Sequence, residues 1–108
     1  MAKTISFNFE GTDYTLEFTR ATIERREKRG FVLAEIDEKQ MTVIPRLFAG
    51  AFEAHHANVS DKVIERIFEK IGSRYDFIKY LMEMYQEPIE ALMGEPEDEG
   101  KLEWKASW

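Results

Sequence analysis

Cysteine is absent from the chain. Disulfide staples and thiolate chemistry are therefore excluded. Histidine is nearly absent too: His55 and His56 are the only two, and they are adjacent. A zinc site would have to draw its remaining ligands from carboxylates. The six glycines are scattered, so no Gly-rich phosphate loop can be drawn. No apolar run approaches the roughly 20 residues of a membrane span. The opening MAKTISFNFE lacks the apolar centre of a signal peptide, and a cytosolic protein is expected. Basic residues are in deficit: 15 Lys and Arg face 21 Asp and Glu, for a net charge of −6. That argues against a general nucleic-acid binder, which needs a basic surface to displace counterions.

What the chain does have is core material. Hydrophobic residues make up 44% of its 108 residues, with eight Phe, enough for one core but not two. The densest helical pattern is PRLFAGAFEAHH, from Pro45 to His56. Ile44, Leu47, Phe48, Ala51, Phe52 and His55 recur at the spacing of one helix face. This reads as a core helix that other segments must cover. Thr42 is its expected cap, with Pro45 in the first turn, where a missing N–H costs little. Gly50 lies inside the pattern, and close approach of another backbone is the expected reason.

Residues 4–18 alternate. Ile5, Phe7 and Phe9 share one face, and the pattern resumes after Gly11-Thr12 with Tyr14, Leu16 and Phe18. A two-residue type II′ turn at Gly11-Thr12 would pair Phe9 with Tyr14, Phe7 with Leu16 and Ile5 with Phe18. A lone hairpin is marginal in water, so its apolar face should lie on helices. Thr19 is placed to cap a helix that ends near Arg29 and is closed by Gly30. That helix carries Arg20, Arg25, Arg26, Lys28 and Arg29 against Glu24 and Glu27, with Ile23 as its one strong apolar residue. It reads as a solvated helix whose cations suit its own C-terminal dipole. A docking patch for an acidic partner or nucleic acid is the sharper alternative. Phe31 to Ile36 stays open between a strand and a buried connector.

Ser60 opens the next expected helix, striped by Val63, Ile64, Ile67, Phe68 and Ile71 and ended by Gly72. Ser73 and Asp76 resemble a capping box for the last helix, which runs to Met93 and stops at Gly94. Its main stripe is Ile78, Leu81, Met82, Tyr85, Ile89 and Leu92. Phe77, Tyr80, Met84, Pro88 and Ala91 form a second stripe beside it. Together they cover roughly 220°, against about 100° for an ordinary surface helix, so this helix should pack on two sides. Residues 95–100, EPEDEG, form an acidic linker before KLEWKASW. The chain divides into one domain over 1–94 and a tail over 95–108. Leu102, Trp104 and Trp108 either fold back as a strand or form a peptide that others read; solubility favours folding back. The expected fold is α+β, mostly α, with an N-terminal β-hairpin packed on about four helices.

No constellation supports catalysis. Neighbouring histidines on a helix project about 100° apart, so His55 and His56 do not share one ion easily. His55 reads as a structural residue near a helix end. Glu83, Glu87 and Glu90 share a face but lack a His or an apolar pocket to tune them. No catalytic, cofactor or metal residue is assigned, and an enzyme is not expected. Met82, Met84 and Met93 suit either an adaptable binding surface or core filling.

With these residues in order, the chain resembles the tail assembly chaperones of long-tailed, siphovirus-like bacteriophages and prophage elements. The matching features are the hairpin, TRATIERREKRGF (19–31), LFAGAFEAHH (47–56), YLMEMYQEPIEALM (80–93) and the Trp-bearing end. They cover nearly the whole chain, and their order and the chain length carry the likeness. The resemblance implies a non-enzymatic protein of the bacterial host cytoplasm that is not part of the mature virion. It implies binding to the long, helical, aggregation-prone tape measure protein and help for the tail tube protein as it assembles around it. Many such families also make a longer frameshifted product. A homo-oligomer is left open, and neither a membrane nor a nucleic-acid partner is expected. The wide last helix could receive an apolar helix in a groove. Phe77, Tyr80, Met84, Trp104 and Trp108 are therefore the expected partner contacts. The alternative is a small phage-encoded regulatory adaptor that binds nucleic acid or an acidic protein through the basic helix 20–29.

Overall fold

The computed structural model describes residues 3–94 and 102–108. The elements run β1 (Ile5–Phe9), β2 (Thr12–Leu16), α1 (Arg20–Lys28), a 3₁₀ helix (Leu33–Asp37), α2 (Gln40–Gly50), α3 (Asp61–Lys70) and α4 (Arg74–Met93). The fold is α+β and mostly α: one antiparallel hairpin followed by four α-helices. The acidic linker expected over 95–100 lies outside the described residues.

The hairpin forms, but in a different register from the expected one. Phe9 faces Thr12, Phe7 faces Tyr14 and Ile5 faces Leu16. The turn is Glu10-Gly11, with φ of 51° and 85°, so both central residues are left-handed as a type I′ turn requires. Side chains fix this choice. Asn8 accepts a bond from the Gly11 N–H at 3.2 Å and donates one to Asp13 at 2.9 Å across the strands. A shift of two residues keeps Ile5, Phe7, Tyr14 and Leu16 on the same side, so alternation alone could not tell the registers apart.

α1 follows the sequence signals closely. Thr19 accepts from the Thr22 N–H, Thr22 returns a bond to the Thr19 N–H, and Gly30 closes the helix at φ 91°. Ile23 is buried. Of the two readings left open for Phe31 to Ile36, the strand does not form and the connector is partly buried. It forms the 3₁₀ helix, with Phe31 and Leu33 turned into the core.

α2 starts earlier than Thr42 would place it. Its cap is Lys39, with no side-chain bond, and Pro45 is its sixth residue rather than one of its first turn. The N–H that Pro45 lacks would have met the Met41 carbonyl. Gly50 is the last residue of α2, and its small size makes room for a side chain rather than a backbone. A Cβ there would sit 3.1 Å from Arg26 Nε. Beyond it, Ala51 and Phe52 stay buried in a run of turns.

The core is aromatic and centred under the hairpin. Phe48 packs on Phe52, Phe68 and Phe77 with ring centroids 5.1 to 5.7 Å apart. Leu16, Leu47, Ile67 and Leu81 complete it. Each fully buried side chain of this kind contributes about 1.5–3 kcal/mol. α3 is capped by Ser60 as expected but buries only Ile67 fully; Val63, Ile64, Phe68 and Ile71 are half-buried. The capping box at Ser73 does not form. Ser73 sits at φ 49° and its side chain makes no cap bond, because a left-handed residue turns the chain sharply out of α3. Residues 102–108 carry no helix or strand and all are exposed, so the folded-back strand expected of the tail is not made on its own chain.

Candidate functional site

The five expected partner contacts do not share one surface. Phe77 is half-buried, with its ring 5.7 Å from Phe48. Met84 is only 3% exposed and belongs to the core, which corrects its assignment as a contact. Within the core cluster Met84 fills space rather than meeting solvent. Tyr80 stands out of the same helix at 61% exposure. Trp104 is 80% exposed and Trp108 fully exposed.

A different surface emerges at the C-terminal end of α4. Leu81 and Tyr85 are buried, and Pro88 is half-buried. Further along that face, Ile89 and Leu92 are exposed, and Met93 beside them is 86% exposed. α4 has 20 residues, whereas α1, its neighbour here, has nine. At 1.5 Å per residue, α4 is roughly 16 Å longer, and α1 stands beside its last turns without closing over them. A hollow of about 210 Å³ opens there between Ile23, Glu24 and Glu27 of α1 and Pro88, Ile89 and Leu92 of α4. Periodicity placed Ile89 and Leu92 on a core stripe. The signal that could have found them is the charge of α1, which offers only Ile23 among Arg20, Glu24 and Glu27 on the side that meets them.

At the inner edge of this region Tyr85 packs against Phe18 and Phe31, at 5.1 and 5.6 Å. Burial pushes its phenol above the usual value of 10.0; Glu27 adds to the rise and Arg26 opposes it.

The basic helix is largely committed within the chain. Arg25 Nε donates to Glu53 at 2.8 Å, Arg26 Nε lies 3.6 Å from the other Glu53 oxygen, and Lys28 meets Glu24 at 3.2 Å. The two histidines tie the end of the α2 segment to the hairpin. His55 Nε2 lies 2.6 Å from Glu17, and His56 Nε2 accepts the Thr15 N–H at 3.0 Å. A ring nitrogen that accepts carries no proton, so the second bond requires the neutral imidazole. The Tyr14 ring lies 5.0 Å from the His56 ring. Among the described residues, no group of three or more His, Asp or Glu is placed to hold a metal, and no helix is long and apolar enough to cross a membrane.

A larger hollow of about 490 Å³ lies between α2 and α3, floored by Pro45, Phe48, Ile64 and Phe68. Its rim is charged, with Arg26 and Arg46 facing Asp61 and Glu65. Phe48 is buried and Ile64 and Phe68 half-buried, whereas Leu92 and Met93 at the end of α4 are 58% and 86% exposed.

No curated protein and no solved structure matches the chain. A family model described as a domain of unknown function, DUF5055, matches residues 1–108, and the chain belongs to that family.

Proposed function

We propose that this protein is a phage tail assembly chaperone that binds the tape measure protein, keeps it soluble and promotes tail tube assembly in the host cytoplasm. The observation that carries the reading is the bare end of α4. Ile89 and Leu92 continue the face of the buried Leu81 and Tyr85, yet among the described residues α1 covers them only in part, leaving Ile89 38% and Leu92 58% exposed. An amphipathic helix laid beside them would complete that face, in the helix-in-groove mode. A tape measure segment offers a helix of that kind, and the sequence resemblance supplies its identity. Met93 extends the apolar contact on α4. The regulatory-adaptor alternative has less support, because Glu53 and Glu24 already engage Arg25, Arg26 and Lys28.

The test is co-expression with a tape measure protein, expected from a neighbouring gene. The wild-type chain should hold that protein in the soluble fraction. Ile89→Glu with Leu92→Glu should lose this while leaving the chain folded. Ile64→Glu, in the hollow between α2 and α3, should retain it. Solubilisation that survives the α4 pair and fails with Ile64→Glu would move the seat to the other groove. Failure of the wild-type chain to solubilise its neighbour would sink the proposal.

A further inference from the structure

The hairpin has two outer edges, and the chain treats them differently. In a two-residue hairpin the pair that closes the turn, here Phe9 and Thr12, exchanges backbone bonds, and every second pair repeats this. Phe7 and Ile5 therefore also bond inward, while the N–H and C=O of Ser6 and Asn8 point away from β2. On the other strand the outward edge is partly engaged. Thr15 N–H donates to His56 and Glu17 N–H to the Ala51 carbonyl at 3.0 Å. Among the described residues, the outward backbone groups of Ser6 and Asn8 meet no such partner. The side chains repeat the asymmetry: Tyr14 and Leu16 of β2 are buried, but Ile5, Phe7 and Phe9 of β1 are only half-covered.

The C-terminal segment matches what this edge lacks. Leu102, Trp104, Ala106 and Trp108 alternate with Glu103, Lys105 and Ser107, an apolar-out-polar pattern of period two. Their side chains are exposed. We infer that Leu102–Trp108 of a second copy adds to the free edge of β1 as a third strand, by strand addition, with both copies exchanging tails. Backbone bonds to Ser6 and Asn8 supply the pairing, and the two Trp cover the Ile5–Phe7 row.

The second copy is the occupant for two reasons. A chain's own tail leaves α4 near the start of β1, because Lys3 N–H donates to Glu87 at 3.0 Å two turns before the helix ends. Its Leu102–Trp108 segment forms no strand on its own chain and stays exposed there, whereas a second copy can present that segment antiparallel to β1. Exchange also closes with two-fold symmetry and leaves neither β1 edge open. The area suffices. Four Trp at about 150–250 Å² each, with the strand surface they cover, reach the roughly 1,200 Å² of a stable interface. This inference is independent of the seat on α4.

Trp104 and Trp108 are the only tryptophans, so intrinsic fluorescence reports directly on the tail. Sedimentation of the full chain across concentration should show a dimer, with Trp emission blue-shifting as it forms. Trp104→Ala with Trp108→Ala should leave a monomer. Ser6→Pro, which removes an outward donor and no bond within the hairpin, should also leave a monomer, with solvent-exposed Trp emission. Mixing the two variants should restore a dimer and the blue shift, because one supplies the edge and the other the tail. Should circular dichroism show Ser6→Pro unfolded, Ile5→Lys, an inward charge on the edge strand, replaces it. A wild-type chain that stays monomeric overturns the inference, whether its Trp emission is exposed or shifted. So does a mixture that fails to associate, or a blue-shifted dimer that survives the edge variants. The Ile89→Glu and Leu92→Glu pair should dimerise normally.

Discussion

Leu81 and Leu92 are the same residue on the same helix, eleven positions apart, which is three turns with about 20° to spare. Leu81 is 0% exposed and Leu92 is 58% exposed. Nothing in their chemistry or their helix phase separates them. Leu81 lies within the core, whereas Leu92 lies in an open hollow beside the charged side of α1. Burial is thus a property of what stands opposite, and the pair marks where the molecule stops covering itself.

The strongest way to break this comparison is to make one substitution at both sites. Leu81→Ala should destabilise the chain by about 2–5 kcal/mol, the range for a buried Leu that leaves a cavity. Leu92→Ala should change stability by less than about 0.5 kcal/mol, as surface substitutions do. Urea denaturation of both variants reads the difference directly. Equal losses would mean that the end of α4 is packed in solution, and the proposed seat for a helix would be filled by the chain itself.

His56→Ala sharpens the comparison from the covered side. The ring accepts the Thr15 N–H and packs beside Tyr14, so its removal leaves a part-buried donor without a partner. A loss of about 1–2 kcal/mol is expected in thermal or urea unfolding. His55→Ala should lose less, since its contact to Glu17 is exposed and screened. If both cost the same, the pair is held by the local turns and not by the bonds to β2.

Much of this was legible in the sequence, and the failures have specific causes. The Thr19 cap, the Gly30 stop and the Ser60 cap were readable because each is a local bond between neighbours in the chain. The aromatic stripe at Leu47, Phe48, Ala51 and Phe52 was readable because helix periodicity is local too. The hairpin register was not, because both registers put the same residues on the same face, and the Asn8–Asp13 pair decided between them. Pro45 misled the start of α2: its position suits a first turn, but the preceding 3₁₀ helix extends the helical path from Gln40. Met84 and Leu92 were misplaced for one shared reason. A helical wheel carries no record of what stands opposite, and their assignments as surface and core were in effect exchanged.

Tyr85 sits on the boundary between the covered and bare parts of α4, and its titration gives the smallest effect. The phenol is raised above 10.0, chiefly by desolvation, so the folded chain holds the neutral form to higher pH than the unfolded chain does. The stability this contributes is fully present below about pH 10, the unfolded value, and is lost as pH climbs through the folded one. The wild-type curve alone does not isolate the group. Tyr85→Phe does: it keeps the ring against Phe18 and Phe31 and removes only the titrating hydroxyl. Urea denaturation at successive pH values should show the wild type losing stability more steeply than Tyr85→Phe above pH 10, with parallel curves below. Parallel curves throughout would place Tyr85 in water, and the uncovered part of α4 would begin at least a turn earlier than Ile89.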